Sequence, residues 1–499
     1  MAEKHSSSEM DTSLSQQNLS RARFLRLLGK GLGLSFIPSS LALWGGGSAL
    51  AASAATILAD GRFPIGLWSP PPPAQTTLER YQEIAAAGFN FVIGGNGVTN
   101  DNINPAALDA AAANNLRFLL TDGKLRNIIH NSTAATSTSA RQSQETSIMQ
   151  RLLTRGIARS TYPATADSTS AEPWEEVRLR INQLMQLYGE HPALSGLNLY
   201  DEPGRAMFGT VGYAREVLQG LAPEQLPYAN VWPSYTSLGA LGTSTYEEYL
   251  QLYLTEVKPG LLCFDHYPLL SKTEITSDYF YNWAVIRRFA LQAGISPWVF
   301  IQSVDFWGNT GGHRRPNEAE IRWQINVSLA YGAKGVQYFT YWTPNLAPGA
   351  SIQFGESLVS RAGLLTPLYD YAKRVNDYLK VVGKVLLPLT SERVVHANER
   401  PLPRGARAFE ADGYVTSVSG SPVILGRFRD PAGGTERYLL VANRSFADAA
   451  ETRLTLSNSV SEVYRLDSQT GTFSPLAQKG SVLLRIAPGG ARVYLLRSS

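Results

Sequence analysis

Leu197-Asn198-Leu199-Tyr200-Asp201-Glu202-Pro203-Gly204 is an apolar run that ends in two adjacent carboxylates and a Pro-Gly turn. Its apolar density predicts a buried strand, and Pro203-Gly204 predicts where that strand stops. Carboxylates at the end of a buried strand are costly to desolvate, so a pair of them there points to a task. In a (β/α)8 barrel the carboxyl ends of the strands form the reactive face. The fold therefore turns on whether seven similar strands accompany this one.

Short apolar runs alternate with helical patterns on both sides of it, as βα units require. Strands are expected over 63–68, 89–94, 117–121, 194–200, 228–232, 261–267, 298–304 and 335–342. Helices are expected over 77–87, 105–114, 173–188, 246–257, 278–293 and 317–331. Residues 131–170, dense in Ser, Thr and Ala, read as a mobile insertion with some helix near 145–155. No Gly-rich dinucleotide loop follows the first strand, which favours a closed (β/α)8 TIM barrel over an open doubly wound sheet.

Near residue 385 the pattern changes. Runs at 394–395, 406–411, 423–428, 438–442, 452–456, 462–466, 482–486 and 491–496 are separated by Gly, Pro, Asp and Ser turns with little helical periodicity. The fold class expected is thus α/β: a barrel domain over 52–384, followed by a C-terminal antiparallel β-sandwich over 385–499. The sandwich reads as a module packed against the barrel.

Residues 1–51 read as an export signal rather than part of the fold. Ser20-Arg21-Ala22-Arg23-Phe24-Leu25 resembles a twin-arginine signal, with Ala22 in place of the second arginine, and Ala49-Leu50-Ala51 offers a small-x-small cleavage site. The expected location is secreted or periplasmic. Beyond the signal no run of 18 or more apolar residues remains, so no membrane span is expected in the mature chain.

In the 499 residues, 45 Lys and Arg nearly balance 41 Asp and Glu, a net charge of +4 that gives no reason to expect nucleic acid as a partner. Cys263 is the single cysteine, which excludes an internal disulfide and any cysteine-based metal cluster. It sits in an apolar run and reads as a buried small hydrophobe. His130, His191, His313 and His396 lack metal-ligand spacing, so neither a metal nor another cofactor is expected.

The strand ends carry a consistent set of residues: Trp68, Asn96, Asp122, Asp201 with Glu202, Trp232 with Tyr235, Asp265-His266-Tyr267, Gln302, Asp305, Trp307 and Tyr341-Trp342. Aromatic faces stack on the C–H faces of sugar rings while polar groups bond hydroxyls. Two carboxyls are what hydrolysis of a glycosidic bond needs, one to protonate the leaving oxygen and one to attack or to activate water. Each residue has a plainer reading. Asp201 suits loop bonding as well as chemistry, His266 suits packing beside a site, and Glu202 could pair with Arg314 or Arg315.

Asp201-Glu202-Pro203 resembles the Asn-Glu-Pro of clan-A (β/α)8 glycoside hydrolases, which implies Glu202 as general acid/base. His266-Tyr267 and Trp342 fall where that clan places substrate-contacting residues. The stretch 322–342, with Tyr331-Gly332-Ala333-Lys334-Gly335, resembles the end of a β-galactosidase-like barrel, and such enzymes commonly carry a trailing β-sandwich. The resemblance breaks at strand seven, where Val299-Phe300-Ile301-Gln302-Ser303-Val304-Asp305 has Gln302 in place of the nucleophilic Glu. An amide cannot form the glycosyl ester.

Three repairs stand open: Asp265 as the second carboxylate, Asp305 reaching in from its loop, or a protein that binds glycans without cleaving them. Asp265 is preferred because a strand end positions a side chain better than a loop does. The expectation is an exported glycoside hydrolase acting on an oligosaccharide or polysaccharide with Glu202 and Asp265 as catalytic pair. Asp201, Trp68, Asn96, Trp232, His266, Tyr267, Gln302, Asp305, Trp307, Tyr341 and Trp342 would contact the sugar. The alternative is a non-catalytic glycan-binding cell-envelope protein, and transglycosylation would use the same residues.

Overall fold

The computed structural model describes residues 61–132, 173–272, 275–308, 311–345, 352–477 and 480–498. The export signal expected over 1–51, and all but the first residues of the insertion expected over 131–170, lie outside the described residues.

Eight parallel strands close into a barrel. In chain order they begin with β1 (Ile65–Leu67), β2 (Phe91–Ile93), β3 (Arg117–Thr121), β4 (Leu194–Asp201), β5 (Leu226–Val231), β6 (Leu261–Asp265) and β7 (Ser296–Gln302). An antiparallel excursion follows, β8 (Phe306–Gly308) and β9 (Gly311–His313), before β10 (Gly335–Phe339) closes the barrel between β7 and β1. Another short strand, β11 (Ile352–Phe354), pairs with β8 to complete a three-stranded sheet.

Alternation along each strand sorts the side chains into two layers. Phe91, Leu119, Leu226, Tyr228, Cys263, Trp298 and Phe300 fill the barrel, while Val92, Phe118, Leu120, Leu262, Phe264, Val299 and Ile301 join the larger core under the helices. Gly66 of β1 must lack a side chain, because a Cβ there would stand 2.1 Å from the Phe91 ring. Cys263 is buried inside the barrel, where Gln337 donates to its sulfur at 2.9 Å.

Two helices link the barrel to the C-terminal sheets. Helix α1 (Glu318–Ala330) begins at a capping box in which Asn317 accepts from Glu320 N and Glu320 accepts from Asn317 N. It is buried nearly all round, because it packs on β7 and on the C-terminal sheet at once. Helix α2 (Pro367–Leu386), absent from the sequence expectation, starts at Thr366 with proline in its first turn and runs up to the sandwich.

The sandwich has a six-stranded sheet and a three-stranded sheet. The larger contains β12 (Thr390–Ala397), β14 (Val423–Arg429), β15 (Arg437–Asn443), β17 (Val460–Leu466), β18 (Phe473–Pro475) and β20 (Ala491–Ser498). The smaller contains β13 (Val415–Gly420), β16 (Ala450–Leu456) and β19 (Ser481–Ile486). The strand expected over 406–411 is not formed: those residues make a single bridge, Ala408 to His396, and their place is taken by β13.

Barrel and sandwich meet along α1. Trp323 Nε1 donates to Arg444 O at 3.0 Å and Asn326 Nδ2 to Gly489 O at 2.9 Å. Gly426 of β14 lies flat against Ala330, where a Cβ would be 2.4 Å from a backbone oxygen that cannot yield. Gly426→Val is therefore expected to lower stability by about 1–3 kcal/mol, read as a shift of the urea midpoint with the slope unchanged.

Candidate active site

At the carboxyl end of the barrel a cavity of about 230 Å³ opens, lined by Trp68, Asp201, Glu202, Asp265, Tyr267 and ten further residues. The end of β4 explains how two neighbouring carboxylates reach the same space. Strict alternation would send Asp201 outward. Instead the register with β5 slips between Asn198 and Tyr200, so Leu199 and Tyr200 both face the outer core and Asp201 turns inward. Tyr200 is held outside by His130, at 2.8 Å from its hydroxyl.

Glu202 then adopts φ +56°, a left-handed conformation that a non-glycine residue adopts at a cost, and its N–H donates to Asn230 O at 2.8 Å. That turn brings its carboxyl back over the barrel mouth beside Asp201.

Asp265, buried at the end of β6, hydrogen-bonds the Glu202 carboxyl. Asn230, at the end of β5, donates its amide to Asp265 Oδ1 at 2.8 Å and lies 3.5 Å from Asp201 Oδ1. Burial, followed by the nearby charges of Asp265 and Asp201, pushes Glu202 far above the usual carboxylate range. Burial also raises Asp265, assisted by Asp201, while the bonds from Asn230 and Glu202 pull it back down. Asp201 keeps an exposed face where it lines the cavity, yet desolvation by the surrounding protein raises it, against the opposing charge of Arg126. Both carboxyls are raised and bonded to each other, so the pair titrates as a unit that retains a proton.

Aromatic rings wall the cavity. Trp68 stacks on Phe339 with centroids 5.4 Å apart, and Phe339 on Tyr267 at 4.7 Å. Phe306, Ile352 and Phe354 of the three-stranded sheet cover one side, and Tyr235, half exposed, stands on another.

Several expected contacts lie elsewhere. Gln302 is fully buried and spends its amide on Leu269 and Arg314 backbone groups, so it pins two loops and does not reach a ligand. His266 bonds Asn282 and Thr276 and packs under Tyr235 at 4.9 Å; burial lowers its pKa. Tyr341 and Trp342 lie past the end of β10 in the outer core, Tyr341 against Phe89 and Trp342 under Arg80. Phe339 supplies the strand-eight aromatic instead.

Trp232 packs on the outer core, and Asn96 donates to Pro70 O at 2.9 Å. Asp305 sits against Gly355 at the base of the excursion, and Trp307 lies on the outer face of that sheet, bonded to Gln353. None of these lines the cavity. Arg314 pairs with Glu320 rather than with Glu202.

Asn198, Tyr228, Asn230, Phe300, Phe306 and Phe339 were missed, whereas Tyr235, expected after strand five, does line the cavity. Asn198 and Asn230 did leave a signal, since each is a lone polar residue inside an apolar run and faces the barrel by parity. Phe306, Ile352 and Phe354 left none, because they belong to loops that the tertiary fold brings over the barrel.

No family model matches the chain, and no curated protein matches it. Among solved structures, a β-galactosidase from the psychrophile Marinomonas ef1 is similar at 15% identity and a TM-score of 0.46, over 65% of this chain and 62% of its own. A family 5 glycoside hydrolase from Bacteroides vulgatus is similar at 12% identity and 0.49, over 87% and 89%. A family 27 β-L-arabinopyranosidase from Geobacillus stearothermophilus is similar at 11% identity and 0.47, over 89% and 98%. At these values the likeness is one of fold.

Glu202 keeps a proton in the folded chain that the unfolded chain releases above about pH 4.5, so stability falls as pH rises through that range toward the folded value. Glu202→Gln removes the difference. It is expected to raise stability by about 1–2 kcal/mol at pH 8 and to flatten the slope, read from urea midpoints at pH 5 and pH 8.

Proposed function

We propose that the protein is an exported glycoside hydrolase whose acid is Glu202 and whose second carboxylate is Asp265. The observation that carries this reading is the meeting of those two carboxyls, from the ends of β4 and β6, in an aromatic-walled cavity at the carboxyl end of the barrel. A carboxylic acid kept neutral at pH 7 can protonate a leaving alkoxide, and an ionised neighbour can attack the anomeric carbon.

The steps balance on these groups. Glu202 gives its proton to the glycosidic oxygen as the C–O bond breaks, and Asp265 closes on the anomeric carbon to form a glycosyl ester. Water, giving a proton back to Glu202, then cleaves the ester and frees Asp265. Carboxyls that flank a glycosidic bond stand about 5–5.5 Å apart for retention and about 6.5–9.5 Å for inversion. Glu202 and Asp265 are bonded to each other, so a glycosidic oxygen that enters between them must part them. Carboxyls bonded to each other lie nearer the shorter of those separations, which favours retention.

The cavity is smaller than the roughly 300–1,000 Å³ of pockets that enclose drug-sized ligands, and the three-stranded sheet covers one side. It suits one terminal sugar of an oligosaccharide or polysaccharide rather than the middle of a chain. The leader-like residues 1–51 support action outside the cytoplasm, and no helix among the described residues is long and apolar enough to cross a membrane.

On a panel of aryl monosaccharide glycosides, Glu202→Gln and Asp265→Asn are each expected to lower kcat by about 10²–10⁴-fold. The wild-type profile should be a bell, its acid limb set by loss of the Asp265 charge and its alkaline limb by loss of the Glu202 proton; Asp265→Asn should remove the acid limb. Proton NMR of the first-formed product should show the substrate's anomeric configuration. A wild-type chain that binds sugars yet turns over no member of the panel would instead be a glycan-binding protein.

A further inference from the structure

We propose that the cavity admits a sugar ring that is neutral or carries an amine and rejects uronic, sulfated or phosphorylated rings, with Asn198 and Asn230 setting that preference. This rests on the reading of the cavity as a sugar site and names the class of sugar.

The hydrogen-bond inventory of the lining is unbalanced. Thr121 Oγ1 donates its single proton to Gly94 O at 2.6 Å, so toward Asn198, 3.0 Å away, it can only accept. Asn198 must therefore turn its NH₂ to Thr121 and its carbonyl the other way, and that Oδ1 has no donor. Asn230 is oriented in the same manner, its NH₂ held by two carboxylates and its Oδ1 left without a partner. Both side chains are more than nine-tenths buried and both line the cavity. A buried amide oxygen lacking its bond is costly, and a ligand O–H or N–H removes that cost.

The remaining groups lean the same way. Three carboxyls add acceptors, and the Tyr228 hydroxyl is already spent on Gln337 Oε1 at 3.0 Å. The uncommitted donors among the described lining residues are Trp68 Nε1 and the hydroxyls of Tyr235 and Tyr267. No Lys, Arg or His is among the described lining residues. Arg126, whose charge acts on Asp201, stands over the Tyr200 ring on the outer side of β4. An anionic ring would thus meet three carboxyls and no cation, while hydroxyls or an ammonium supply what the lining lacks. The faces of Trp68, Tyr267 and Phe339 suit sugar C–H groups and a cation alike.

The test is calorimetric binding to the full chain of D-glucose, D-galactose and D-mannose, their 2-amino counterparts and their uronic acids. At least one neutral or amino sugar should bind, and its uronic acid should bind at least about tenfold more weakly. Asn198→Leu should weaken the preferred sugar about tenfold. Thr121→Val lets the Asn198 amide flip and offer a donor, so it should narrow the gap between neutral and uronic sugars, with circular dichroism unchanged. A uronic acid that binds as tightly as its neutral parent, or no binding by any member, overturns the proposal. Turnover with no charge preference overturns this inference alone; charge preference without turnover overturns hydrolysis alone.

Discussion

Three carboxyls crowd the ends of β4 and β6, and like charges so close, partly desolvated by the cavity walls, resist full ionisation. Retention of a proton by the Glu202–Asp265 pair, whose carboxyls are both raised, and the amide of Asn230 between Asp265 and Asp201 let them coexist. The barrel strands bring the three acids together, and the burial that surrounds them sets which one keeps its proton. The arrangement is costly to stability and well suited to acid–base work, the usual exchange at a reactive site.

The rest of the molecule holds that cluster in place at increasing distance. The slip between β4 and β5 aims Asp201, and the left-handed turn at Glu202 aims the acid. His266 and Asn282 support Tyr235 from beneath. Gln302 ties the loops after β6 and β9 to the end of β7, which keeps the aromatic wall closed above the acids. The sandwich acts further out, through α1, whose other side lies on β7.

Much of this was legible in the sequence because period and composition report burial directly. The eight strands and the trailing sandwich could be placed from apolar runs and turn residues. The acids and Trp68 could be placed because they close those runs. What resisted reading has common causes. Gln302 occupies the position of a ligand-facing residue, but its amide meets backbone groups from two loops far away in sequence. Tyr341 and Trp342 follow β10 so closely that they read as its end, whereas the strand stops at Phe339. The 406–411 run is apolar enough for a strand but finds only one bridge, to β12.

Strand periodicity, turn chemistry and the carboxylates at strand ends determined the barrel, its sandwich and the rim at which chemistry belongs, since these depend on local pattern. Contacts between distant segments decided the rest. A one-residue slip between two strands reversed the direction of Asp201, and hydrogen bonds donated to Thr121 and to the carboxylates oriented two asparagines. The cavity's roof came from an excursion after β7 and a loop after β10. Proton placement belongs to this second group as well, because it depends on how far three charges stand from one another and from water, which no single stretch of chain encodes.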